Sequence, residues 1–323
     1  MPLDPEAKAL LDWIANLYPP VHITPVEEAR RNFRERTRLT DGAPVQAARI
    51  EDRTIRTPQG DIPIRVYTPE GNEAFPALIY FHGGGWVIGD LDTHQNLCCD
   101  FAYRGRSVVV AVDYRLAPEH KFPRAVEDCY AATQWVAAHA NELRIDPRRV
   151  AVGGDSAGGN LAAAVCLMAR DRGEPRLGFQ LLVYPVMDHN FDTASYHEYA
   201  SGFSLTREAM KYYWDQYLSA KEDGQNPYAS PLRAGDLRGV PPALVVIAEY
   251  DPLRDEGRAY AQRLREAGVP VTLRHCETML HGFLTMTDRI DAARRIRQEI
   301  AQTVGNTFRV RTAERTAIAE LQP

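Results

Sequence analysis

From Arg49 onward the chain alternates short, β-branched apolar runs with longer stretches in which apolar residues recur at helical spacing. Eight runs predict strands: Ile50–Arg56, Ile62–Tyr67, Ala77–Phe81, Ser107–Val112, Val150–Gly153, Phe179–Val183, Ala243–Ala248 and Val271–His275. The first two are joined by Pro58-Gln59-Gly60-Asp61, a hairpin signal. Three helices are predicted between the later runs. Phe122–Glu142 carries Ala125, Cys129, Ala132 and Val136 on one face behind Pro123, Asn160–Arg172 is rich in Ala and Leu, and Glu256–Ala267 is amphipathic and stops at Gly268. Strands that are apolar throughout must be covered on both sides. The pattern therefore predicts an α/β fold: a mostly parallel eight-stranded sheet with helices on both faces and an antiparallel edge from the hairpin.

Two stretches break the alternation. Residues 1–48 read as two polar helices with Trp13, Ile14, Leu17 and Tyr18 on one side. Residues 189–228 hold Phe191, Tyr196, Tyr199, Phe203, Tyr212, Tyr213, Trp214 and Tyr217. An insertion of that length between strands is expected to serve as a lid or binding element, with extension of the core as the plainer alternative.

Composition narrows the function classes. The 323 residues are 45% hydrophobic and 25% charged, ordinary values that exclude disordered, fibrous and disulfide-scaffold proteins. The net charge of −5, without basic clusters, offers nothing to nucleic acid. No apolar run reaches the roughly 18 residues that would span a membrane. The opening Met1-Pro2-Leu3-Asp4-Pro5-Glu6 lacks the basic and apolar regions of a signal peptide, which predicts a cytoplasmic protein. The five cysteines, Cys98, Cys99, Cys129, Cys166 and Cys276, show neither zinc-ligand nor redox spacing and are expected to be reduced packing residues.

Of the seven serines, Ser156 alone has glycines on both sides, in Gly153-Gly154-Asp155-Ser156-Ala157-Gly158-Gly159. This G-x-S-x-G run lies between a predicted strand and a predicted helix, the context of a nucleophile elbow. There the strained turn needs small neighbours, and the helix N-terminus offers N–H groups to developing negative charge. A phosphate loop fits worse, because the Gly-Lys-Ser/Thr ending and the dinucleotide βαβ context are missing. After the strand Ala77–Phe81 comes His82-Gly83-Gly84-Gly85-Trp86. Acyl transfer builds an oxyanion that fixed backbone amides stabilise, and glycines let the chain aim them. Gly83 and Gly84 are the expected donors from this loop, with Ala157 as the third. His82, at the root of the loop, is expected to hold it by hydrogen bonds.

The elbow architecture orders its partners as Ser, then Asp or Glu, then His. Among histidines after Ser156, His189 and His197 fall in the insertion and His275 within the last predicted strand, whereas His281 follows that strand. Strand carboxyl ends are where sites of open α/β sheets gather, which favours His281 as the base, with His275 as the alternative. Asp251, after the strand Ala243–Ala248, is the favoured acid, able to orient the imidazole or cap the next helix. Asp255 and Asp188 rank below it.

Together, His82-Gly83-Gly84-Gly85-Trp86, Gly154-Asp155-Ser156-Ala157-Gly158-Gly159, Asp251-Pro252-Leu253-Arg254-Asp255, His281-Gly282-Phe283 and Asp113-Tyr114-Arg115-Leu116-Ala117-Pro118-Glu119 resemble the bacterial hormone-sensitive lipase family of carboxylesterases over roughly residues 1–300. The resemblance implies an α/β-hydrolase fold whose cap combines residues 1–48 and 189–228. The core would then be 49–188 and 229–303, with 304–323 an extension past the usual family end. It also implies a Ser156–Asp251–His281 triad and an oxyanion hole of Gly83, Gly84 and Ala157. The substrates would be small-molecule esters of short to medium acyl chains, roughly C4–C8, with no metal or organic cofactor. The assembly would be a monomer or a homodimer, the latter through an exposed final strand.

Two rivals remain in view. Plant gibberellin receptors are similar to this family but lack the catalytic histidine, which here is present as His281. Amidase and lactonase activity would use the same triad. A β-lactamase-like reading fails, because none of the seven serines has Lys three positions later.

Overall fold

The computed structural model describes residues 1–43 and 49–319. One sheet of eight strands organises them, in the order β1-β2-β4-β3-β5-β6-β7-β8. The strands are β1 Arg49–Thr57, β2 Gly60–Thr68, β3 Phe75–Phe81, β4 Val108–Val112, β5 Ile145–Asp155, β6 Phe179–Val183, β7 Ala243–Tyr250 and β8 Val271–Leu280. The hairpin β1–β2 is antiparallel and meets β4 antiparallel, and every other pairing is parallel. All eight predicted strands are therefore present, several of them longer than their apolar run. β8, at the sheet edge, alternates in exposure over its predicted part, 271–275, and continues to Leu280.

The helices are α1 Pro5–Ala15, α2 Val26–Thr40, α3 Gln95–Gly105, α4 Arg124–Ala138, α5 Ala157–Arg172, α6 Ala194–Glu198, α7 Arg207–Tyr217, α8 Arg254–Glu266 and α9 Asp291–Ala319. The period-two pleat sends Ile79, Phe81, Val110 and Val152 to one face, where α4, α5 and α8 cover them. It sends Leu78, Tyr80, Val109 and Ala151 to the other, under α1, α3 and α9. Helix α5 is buried on all sides from Ala157 to Ala169, so its position behind the elbow is held by packing around its whole circumference.

The structure adds detail in three places. Trp13 and Leu17 remain 36% and 48% exposed, and α1 instead buries Ala7 and Leu10, because the helix rests on the sheet along one narrow stripe. The aromatics of residues 189–228 divide: Tyr196, Trp214 and Tyr217 are core, with Tyr217 stacked on Trp86 at 4.2 Å, while others face a cavity. No break separates residue 303 from 304. Helix α9 runs through, burying Val304 and Phe308 and packing Gly305 against the backbone of Gly105. The last four residues of the expected extension, 320–323, lie outside the described residues, as do 44–48 at the end of the expected N-terminal segment. All five cysteines are buried and none is in a disulfide. No helix among the described residues is long and apolar enough to cross a membrane.

Candidate active site

Strand order reverses at β3, whose neighbours β4 and β5 are reached on opposite sides, and a crevice opens at the carboxyl ends there. Strand β5 delivers Asp155 and Ser156 to it and α5 begins at the next residue. Ser156 has φ +56°, a conformation costly for a residue with a Cβ, and is held by its N–H donating to Val183 O at 2.8 Å. The turn is too tight for anything but glycine at Gly158, where a Cβ would sit 1.9 Å from Phe81 O.

Ser156 Oγ lies 3.0 Å from His281 Nε2, and His281 Nδ1 lies 2.8 Å from Asp251 Oδ2. Asp251 is fully buried and its other oxygen accepts the Leu253 N–H at 2.9 Å, so it orients the ring and caps the approach to α8 at once. A carboxylate only accepts hydrogen bonds, so the imidazole proton resides on Nδ1 and Nε2 faces the serine hydroxyl as acceptor. Ser204 Oγ donates to His281 O at 2.7 Å, tying the histidine to the 189–228 segment.

The competing residues are engaged elsewhere. His275 Nε2 pairs with Glu249 at 2.6 Å, Asp255 accepts the Ser195 N–H at 2.8 Å, and Asp188 is bonded to Arg233.

The glycine loop corrects one expectation. Gly83 does not present its amide to the cavity: its N–H donates to Asp155 Oδ1 at 3.0 Å. Gly84 and Gly85 line the cavity instead, at φ +121° and +59°. The amides of Gly84, Gly85 and Ala157 make no hydrogen bond to protein among the described residues. A Cβ on Gly85 would lie 2.3 Å from the Tyr213 ring, so this loop and the 189–228 segment are in contact. His82 does hold the loop: its Nδ1 donates to Gly83 O at 2.8 Å, and its own carbonyl accepts the Tyr114 hydroxyl at 2.7 Å.

Beneath the loop lies a buried Asp155–His94 pair that no sequence motif signals. Asp155 accepts from Tyr80 Oη at 2.9 Å and approaches His94 Nε2 at 3.2 Å. Burial alone would push the Asp155 carboxyl up, but His94 and the Tyr80 hydroxyl hold it below the usual range. His94 moves the opposite way: burial lowers it, and Asp155 more than reverses that. His82, buried with no partner for Nε2, is driven down to about 4 by burial and by the charge of His94.

The cavity above Ser156 has a volume of about 540 Å³, within the roughly 300–1,000 Å³ common for small-molecule sites. Its floor is Ser156, His281, Gly84 and Gly85. Its roof comes from α1, α2 and the 189–228 segment, including Ile14, Phe33, Leu205 and Met210.

The profile of the alpha/beta hydrolase fold family matches residues 78–285. Among curated relatives, the chain is similar to the carboxylic ester hydrolase LipN of Mycobacterium tuberculosis, 47% identical over 73% of this chain and 65% of LipN, so it spans just under two thirds of that relative. It is 40% identical to the carboxylesterase NlhH of the same species, over 90% of this chain and 92% of NlhH. Among solved structures, a hyperthermophilic esterase from the archaeon Pyrobaculum calidifontis superposes with a TM-score of 0.89 at 41% identity, covering 95% of this chain and 99% of that one. An ester hydrolase from the metagenome of Lake Arreo, complexed with a derivative of bipyridine phosphonate, superposes with a TM-score of 0.91 at 38% identity, over 95% and 99%.

Proposed function

The chain belongs to the alpha/beta hydrolase fold family and is a carboxylic ester hydrolase of the hormone-sensitive lipase type, and from that premise we propose that Ser156, His281 and Asp251 carry its chemistry. The observation that supports this most is the unbroken hydrogen-bonded run from Asp251 through His281 to Ser156, ending on the floor of the cavity.

In this reading His281 Nε2 takes the Ser156 proton as Oγ attacks the ester carbonyl. Asp251 stabilises the imidazolium that forms, and the oxyanion is received by the amides of Gly84, Gly85 and Ala157. The tetrahedral species collapses when His281 protonates the leaving alcohol. The same histidine then activates a water molecule that releases the acid from Ser156.

The cap is proposed to be the N-terminal helices α1 and α2 together with residues 189–228. Both segments wall the cavity opposite Ser156, and Ser204 and Tyr213 touch the catalytic floor from there. The family resemblance suggests acyl chains of about C4–C8, and a cavity of this size has room for them.

The test is steady-state hydrolysis of p-nitrophenyl esters from C2 to C16 beside the Ser156→Ala variant. A short-to-medium optimum that falls by about 10⁴-fold or more in the variant is expected. Near-native turnover in Ser156→Ala ends the proposal for the nucleophile, and an optimum above C12 ends it for the chain length.

A further inference from the structure

The arginines withdrawn from water around the cap have anions of the protein to meet. On α2, Arg30 bonds Glu119 and Glu27, and across the site Arg297 reaches Asp41 and Asp100 and Arg254 reaches Glu249 and Asp255. Arg36, on the same face of the cavity as Phe33, is different. It is partly buried and lines the cavity, and among the described residues it meets no carboxylate and no carbonyl. Its Cζ stands 4.9 Å from the centroid of the Phe33 ring. The titratable groups that act on its charge are the phenols of Tyr213 and Tyr18, which burial raises further and which are neutral at pH 7. The carboxylates nearby are spoken for or turned away. Asp155 is held by Tyr80, Gly83 and His94, and Asp12 pairs with Lys8 at the surface.

A cation drawn out of water without a counter-ion is costly, and stacking on one aromatic ring recovers only part of that cost. Guanidinium stays charged at any physiological pH and presents a planar fork that fits a carboxylate. Its place matters as much as its charge. The Tyr213 ring lies against Gly85 of the oxyanion loop and within electrostatic reach of Arg36, and all three residues line the cavity that holds Ser156. The same cavity is lined by Leu205 and Met210, which suit methylenes.

We propose that Arg36 is a specificity residue that receives a carboxylate carried by the substrate, and that half-esters of short dicarboxylic acids are the class of ester this site favours. This rests on the serine esterase reading above. The ester carbonyl would lie over Ser156, the methylenes along the apolar roof, and the free carboxylate on the guanidinium of Arg36.

The experiment compares kcat/KM for monomethyl glutarate with that for neutral methyl hexanoate, by pH-stat, in the native protein, Arg36→Leu and Arg36→Lys. Thermal midpoints of the variants verify folding. A charged hydrogen-bonded contact of this kind corresponds to about tenfold to a hundredfold in affinity. The ratio of half-ester to neutral ester is therefore expected to fall at least tenfold in Arg36→Leu, chiefly through KM, and to recover in part in Arg36→Lys. A ratio unchanged within twofold, or equal losses on both esters, overturns the inference. Calorimetric binding of monomethyl glutarate to Ser156→Ala, repeated with Arg36→Leu added, separates this inference from the one it rests on. If p-nitrophenyl butyrate is hydrolysed by the native protein and lost in Ser156→Ala while the binding is indifferent to Arg36, this inference alone fails. If p-nitrophenyl butyrate is not hydrolysed at all, the esterase reading fails, and binding that ignores Arg36 then overturns this inference as well.

Discussion

The floor and the roof of the cavity are built on opposite principles. On the floor, Asp251, His281 and Ser156 form one hydrogen-bonded run, and Gly83, Asp155 and His94 form a second beneath it. On the roof, Phe33, Leu205 and Met210 offer apolar surface, and Arg36 offers a charge that no carboxylate among the described residues answers. The floor is mounted on strand ends and on a helix buried all round, so its geometry is set before any ligand arrives. The roof comes from segments outside the sheet and leaves its polar capacity for the substrate. Substitutions on the floor should therefore change whether an ester reacts, and those on the roof should change which ester does.

The largest expected effect tests the floor. Asp251→Asn keeps the volume but offers an amide N–H toward Nδ1, which turns the imidazole to the wrong tautomer. A loss of about 10⁴-fold in kcat is expected, with KM little changed. A loss below about tenfold would mean that Asp251 does not orient His281.

Gly85 lies where the two regions touch. In Gly85→Ala the new Cβ must displace the Tyr213 ring at a φ of +59°. With the amide moved off the oxyanion, kcat is expected to fall about 10²–10³-fold. Gly83→Ala makes the contrasting case, because its Cβ would strike Asp155, 2.4 Å away, and its cost should appear first in the thermal midpoint.

The third expectation concerns pH. His82 titrates at about 4 in the fold, against roughly 6.5 in an unfolded chain. Between those values the unfolded chain binds a proton that the folded one refuses, so stability rises with pH across the window and is lost as pH falls from 6.5 through 4. His94, raised in the fold, works in the opposite sense: its contribution is complete below 6.5 and fades as pH climbs through its folded pKa. The His82 contribution is worth up to about 3 kcal/mol. His82→Gln should accordingly show a smaller drop in thermal midpoint between pH 7 and pH 4.5 than the native protein. Equal drops in both would mean that His82 is not held neutral by burial.

The smallest effect tests the roof. Met210 is buried and lines the cavity. Met210→Ala should lengthen the preferred acyl chain on the p-nitrophenyl series while changing kcat/KM for the best substrate by less than about a hundredfold, the range one hydrophobic contact commands. An unmoved optimum would place the acyl chain elsewhere in the cavity.

Much of the floor was legible in the linear order of residues. The elbow around Ser156, the order Ser156, Asp251, His281, and all eight strands follow from local rules of periodicity, glycine placement and strand-end chemistry. The misreading of Gly83 has a physical reason. Three consecutive glycines are alike in sequence, and which amide faces the substrate depends on Asp155, 72 positions away, capturing the first of them. His94 gave no local signal either, since its partner arrives across β3 and β5. On the roof, the pattern grouped Trp13, Ile14, Leu17 and Tyr18 on one side without telling which of them docks: Ile14 and Tyr18 line the cavity, while Trp13 and Leu17 are exposed.

The sequence by itself pointed to the layered α/β sheet, the elbow around Ser156, the family and the residues proposed for the triad, because periodicity, glycine placement and strand-end position are local signals. Only the tertiary structure decided which glycine amides make no protein hydrogen bond among the described residues, that Asp155 and His94 pair while buried, and that Arg36 lines the cavity without a carboxylate among those residues. Those are outcomes of pairing between distant segments. Burial makes an unmet charge costly only once the fold has chosen what lies beside it.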